Sequence, residues 1–133
     1  MRTKVVVVIA AVVLLASAGR VVAHHSFSAE FDASKPFKMT GAVTKVEWMN
    51  PHTFFYIDVT DEKTKKVTNW AMEMGSPNGL MRQGWSRNTL KTGEVVTVEG
   101  SLAKDGSPTG NARSVMTADG KRLFAASSQG TTP

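Results

Sequence analysis

The chain has 133 residues, 41% hydrophobic and 20% charged, with eleven glycines, five prolines and no cysteine, a composition that describes one small globular domain and excludes a fibrous repeat or a disordered tail. Without a thiol there is no disulfide framework, zinc knuckle, iron–sulfur cluster, cysteine nucleophile or thioether-linked haem, which leaves histidine, carboxylate and methionine chemistry. The formal charge of +5 suggests a nucleic-acid binder only until the sixteen basic residues are located along the chain.

Residues 1–23 read as an export signal, with Arg2 and Lys4 ahead of an unbroken apolar run of twelve residues, 5–16, followed by small residues. The run is too short to span a bilayer, which takes about 20 apolar residues, so no stable membrane insertion is expected once the signal is removed. Cleavage fits after Ala18 or after Ala23, and the second is preferred. It would remove Arg2, Lys4 and Arg20 and leave thirteen basic against eleven acidic side chains. The export signal sets the expected location as the periplasm or the external medium, and a net charge of +2 carries little affinity for a phosphate backbone, so no nucleic-acid partner is expected. A domain of this size can fold without disulfides.

Residues 24–35 form an extended N-terminal arm, and from Pro36 the pattern is one of short strands. The stretch 37–48 is β-rich, but its apolar residues change phase between Val43 and Val46 and Gly41 sits inside it, which predicts one long strand with a bulge or sharp bend. Asn50 and Pro51 stop it. In the next strand Phe55, Ile57 and Val59 alternate with Phe54, Tyr56 and Asp58. The charged run 61–66 is a hairpin turn, and 67–74 returns with Trp70, Met72 and Met74 on a common face. Ser76 and Pro77 then supply an N-cap and a first-turn proline for one short helix, stopped at Gly84. After a connector at 85–92, a fourth strand follows Gly93, the polar loop 104–110 precedes a fifth, and the Asp119-Gly120 turn leads to a final strand or strand extension. Residues 126–133 are a polar, flexible tail.

Three strands, a helix and two more strands, the first strand long and bent, predict an all-β domain with one short helix over residues 36–125. The element order is that of a five-stranded OB-fold-like barrel. The rival, a small antiparallel sandwich, gives no reason for a capped helix between strands three and four.

The segments HHSFSAEFD, GAVTKVEWMNPH, NWAMEMGSPNGLMRQGW and LKTGEVVTVEGSLAKDG together resemble an exported bacterial family of unknown function, domain of unknown function 6152. The resemblance covers about residues 24–125 and implies no activity. Because its block begins at the two histidines, it agrees with cleavage after Ala23.

His24, His25 and His52 are the only histidines. After cleavage at Ala23, His24 carries a free α-amine beside its own imidazole, a bidentate chelate that a second imidazole completes as a three-nitrogen, T-shaped site. Copper heads the divalent affinity order and suits such donors, which makes it the candidate ion. His25 is a poor second ligand in an extended chain, though its amide and imidazole could chelate locally; His52 is the better partner. A straight first strand from Pro36 to Trp48 would be roughly 40 Å long at about 3.3 Å per residue. The arm therefore has to double back, anchored by Phe27 and Phe31, with Glu30 or Asp32 to accept from an imidazole N–H. The plainer alternative is an unstructured end and a His52 that bonds within the Asn50-Pro51 turn. The methionines are expected in the core, with Met49, three residues before His52, the one placed to matter.

A metal-free alternative uses the surface that OB-folds present to ligands. Here it comprises Trp48, Asn50, His52, Phe54, Tyr56 and Trp70, with Lys104 and Asp105 from the fourth loop, as a platform for a partner protein or a glycan. An enzyme is not expected: there is no Ser/His/Asp order, no nucleophile elbow and no phosphate loop, and Glu47, Glu73 and Glu99 are carboxylates with no evident pairing.

Overall fold

A computed structural model describes residues 27–127. Residues 27–30 form a helical turn that feeds strand β1 (Phe31–Glu47), followed by β2 (Phe54–Thr60), β3 (Val67–Glu73), helix α1 (Pro77–Arg82), β4 (Val95–Ala103), β5 (Thr109–Met116) and the short β6 (Arg122–Phe124). The sheet order is β3-β2-β1-β4-β5-β6, and β3 also pairs with β5, so five strands close into a ring and β6 extends β5 outside it. The pairings are antiparallel except for the closing one, β3 with β5, which is parallel and only three residue pairs long. Ring closure, strand order and the helix between β3 and β4 are those of the expected OB-like fold, and they exclude the two-layer sandwich.

β1 can serve the ring because it bends. Ala42 pairs with both Asp58 of β2 and Val95 of β4. The register against β2 slips between Val43 and Lys45, where the apolar phase changes in the sequence. At the bend an added Cβ on Gly41 would stand 2.4 Å from the Asp58 carbonyl oxygen, so only glycine lets the two backbones approach. β1 begins at Phe31 rather than at Pro36, with a second irregularity between Asp32 and Pro36. The last part of the expected arm is therefore strand, because its backbone groups pair with the end of β4.

α1 is built as its sequence demands. Ser76 caps it by accepting from the Gly79 N–H at 3.2 Å, Pro77 opens it, and Gly84 (φ +87°) ends it in the left-handed region. Its apolar side, Leu80, packs into a core of Val43, Phe55, Ile57, Met72, Met74, Val96, Val98 and Val115. Met72 and Met74 are thus core residues, as expected, whereas Met49, Met81 and Met116 are exposed. The Trp85 ring is buried with this cluster and its N–H donates to the Phe124 carbonyl at 2.8 Å, tying the chain after the helix to β6. Ala126 and Ser127 are not loose: Ala126 packs against Gly75 and the core, and Ser127 hydrogen-bonds to Asn111.

Candidate functional site

His52 sits in the connector between β1 and β2, where backbone bonds extend the β2–β3 ladder beyond its last strand pair. The Thr53 N–H donates to the Gly75 carbonyl at 3.0 Å and the Met74 N–H to the Thr53 carbonyl at 2.8 Å, which sets His52 against the end of β3. Its Nδ1 lies 3.2 Å from the Met74 carbonyl oxygen and 3.7 Å from the Glu73 carboxylate. A carbonyl can only accept, so Nδ1 carries the proton; in the neutral ring the lone pair is then on Nε2, which has no hydrogen-bond partner among the described residues. His52 is half-buried. It bonds across to β3 and not within the Asn50-Pro51 turn, whose peptide is cis.

Glu73 points away from the core at the last position of β3, yet it is buried. Parallel pairing sets it beside Asn111 of β5, whose amide donates to its carboxylate at 3.4 Å, and Ser127 reaches Asn111 from the C-terminal side. Burial pushes the Glu73 carboxyl up from the ordinary glutamate range; the neighbouring His52 draws it back, the negative charge of Glu30 raises it further, and the Asn111 amide lowers it.

Glu30, whose charge acts on Glu73, belongs to the N-terminal arm. Phe27 and Phe31 are buried, their rings stacked with centroids 5.6 Å apart. The Lys104 N–H donates to the Glu30 carbonyl at 2.8 Å and the Lys104 ammonium binds the Ser28 carbonyl. The expected doubling back of the arm is replaced by ring closure. Asp32 pairs with Leu102, Leu102 with Gly110, Gly110 with Met72, Met72 with Phe55 and Phe55 with Val46, so both halves of β1 meet the same circuit of strands. His24 and His25 lie outside the described residues. Of the expected carboxylate acceptors, Asp32 accepts from Ser34 and faces Lys35; the group bonded to His52 is the Met74 carbonyl, beside Glu73. Among the described residues no group of three or more His, Asp or Glu is arranged to hold a metal ion, so any ion at His52 takes its other donors from elsewhere.

The proposed aromatic platform is divided by the strand register. Ile57 pairs with Trp70 and Phe55 with Val46, so Trp70, and Trp48 two residues beyond Val46, lie on the inward side and pack against the core. Phe54 and Tyr56 lie on the opposite face, half-buried. Trp48 and Trp70 therefore do not share a surface with Phe54 and Tyr56; alternation within each strand could not show this without the register between strands. The Tyr56 hydroxyl donates to Glu47 at 2.9 Å, and the Lys45 ammonium, itself paired with Glu47, lies 5.4 Å from the Tyr56 ring centre. Burial and the bond to Glu47 both raise the Tyr56 hydroxyl above its usual range. Asn50 and Met49 are exposed. Trp70 lines a cleft of about 230 Å³ with Met39 and Val59. A cleft of about 540 Å³ is lined by Glu30, Phe31, Lys104 and Asp105, whose carboxyl is held low by its bonds from Ser107.

Nothing in the sequence marks Glu73 and Asn111 as neighbours. Alternation does turn Glu73 outward, but its burial comes from a parallel pairing and a C-terminal contact that no local pattern encodes. The other two carboxylates have cationic partners, Glu47 in Lys45 and Glu99 in Lys38 (3.5 Å) and Arg122 (2.7 Å).

The family model described as "Family of unknown function (DUF6152)" matches residues 11–113. The chain belongs to this family. The match takes in β1 to β4, α1 and the first part of β5, so His52, Glu73 and Asn111 all fall within the DUF6152 segment. No curated protein and no solved structure matches the chain. Among the described residues no helix is long and apolar enough to cross a membrane.

Proposed function

We propose that this member of the family is an exported, non-catalytic binding protein that holds copper through the α-amine and imidazole of His24 and the Nε2 of His52, with His25 as a local alternative donor. The observation that supports this reading is the state of His52: one ring nitrogen is tethered to a backbone carbonyl and the other is free, as in imidazoles whose N–H is fixed so that the opposite nitrogen can ligate. The nitrogen donors are those that copper prefers among divalent ions. The rival reading, docking of a partner protein or glycan on the β2–β3 face, keeps Phe54 and Tyr56 but loses both tryptophans.

The test is mass spectrometry of the exported protein for its N-terminus, followed by Cu(II) titration of that material. A chain beginning at His24, with affinity reduced at least about tenfold in both His24→Ala and His52→Ala, is the expected result. A secreted form beginning at Gly19, or an affinity that His52→Ala leaves unchanged, removes the copper site.

A further inference from the structure

We infer that the open end of the strand ring beside Trp70 is a binding site for a small aromatic carboxylate, a single ring carrying one anionic group. The inference is independent of His52 and of any metal ion.

The interior of the ring is filled in its middle and less so at this end. Ile57 and Val98 are fully buried, whereas Trp70 opposite Ile57, Met39 opposite Val98 and Val59 next along β2 face inward and are only partly buried. These three give an apolar wall to a cleft of about 230 Å³ whose other lining residues are Thr68, Asp61 and Lys66. The mouth of a barrel is a recurrent ligand position, and a volume below the roughly 300 Å³ at which drug-sized sites begin suits one ring. An indole and a thioether on the wall favour an aromatic ring over an aliphatic one.

The polar groups of the lining select the charge. The Trp70 indole N–H, the Thr68 hydroxyl and the Lys66 ammonium have no hydrogen-bond or ion-pair partner among the described residues. The indole N–H and the ammonium can only donate. The one carboxylate of the lining, Asp61, is engaged within its own turn, where it accepts from the Lys63 and Thr64 N–H groups and the Thr64 hydroxyl. Three lysines against two acidic residues leave the hairpin 61–66 at +1. An apolar wall bordered by unused donors matches a ring whose carboxylate accepts from Trp70 and Lys66.

The test uses the full chain without added metal and benzoate as the probe. Benzyl alcohol, which keeps the ring without the charge, and acetate, which keeps the charge without the ring, are the controls. Benzoate is expected to move the Trp70 indole N–H resonance saturably and those of Trp48 and Trp85 less, and to bind about fivefold more tightly than either control. Lys66→Gln, at an exposed position, should weaken benzoate binding about fivefold. Trp70→Phe, which keeps an aromatic ring and removes the donor, should weaken it about tenfold. A Trp70 resonance that benzoate leaves unmoved, equal affinity for benzoate and either control, or unchanged affinity in Lys66→Gln overturns the site.

Discussion

Gly41→Ala is expected to cost about 3 kcal/mol and to lower the melting temperature by roughly 15 °C, a large loss for a substitution that adds one methyl group. The added carbon would stand 2.4 Å from the Asp58 carbonyl oxygen and 3.2 Å from a Val59 methyl, and the first of these belongs to a backbone that cannot rotate aside. Relief requires β1 and β2 to separate where β1 passes from one neighbour to the other, which loosens the ladders on both sides. Gly106→Ala provides the comparison. It sits in the β4–β5 loop at φ +76° with nothing within 4 Å of the added carbon, so it should cost only the left-handed backbone penalty of about 1 kcal/mol. Thermal melts of the two variants check the difference; equal losses would mean that the close approach at the bend is not what glycine serves there.

Glu73→Gln is expected to move stability the other way. In metal-free protein at neutral pH the variant should melt higher by roughly 4–8 °C, a gain of about 1 kcal/mol, because the amide keeps the shape and an acceptor for Asn111 without the cost of burying a charge. The sign follows from the raised carboxyl. A group that holds its proton more tightly when folded gives its full stabilisation below the unfolded glutamate range and loses it as pH rises through the folded value. The advantage of glutamine should therefore widen from acid toward neutral pH, as melts in the presence of a chelator would show. An unchanged or lower melting point at neutral pH would mean that the carboxylate's contacts outweigh its burial. If the gain is found, the native residue is one the free protein would be more stable without, which is common where a side chain serves binding.

Much of the architecture is legible in the residues because local features encode it. The phase change between Val43 and Val46 marks the bulge, Ser76-Pro77 marks the capped helix, and alternation separates Phe55 and Ile57 from Phe54 and Tyr56. The site is less legible because it depends on pairings between distant residues. Separating Trp70 from the Phe54 face requires knowing that Trp70 stands opposite Ile57. Recognising Glu73 required the parallel contact with Asn111, 38 positions away. The histidine could be singled out because there are only three, but the atom that tethers it is a backbone carbonyl, which every residue possesses.

The ring is fastened unevenly. Nine residue pairs join β1 to β4, whereas three join β3 to β5, so thermal breathing should begin at that short clasp, and amide protons of 109–111 should exchange with solvent ahead of those of 96–99. Asn111 and Glu73 face each other across it. The weakest join in the circle is thus also the doorway through which water first reaches the carboxylate behind His52.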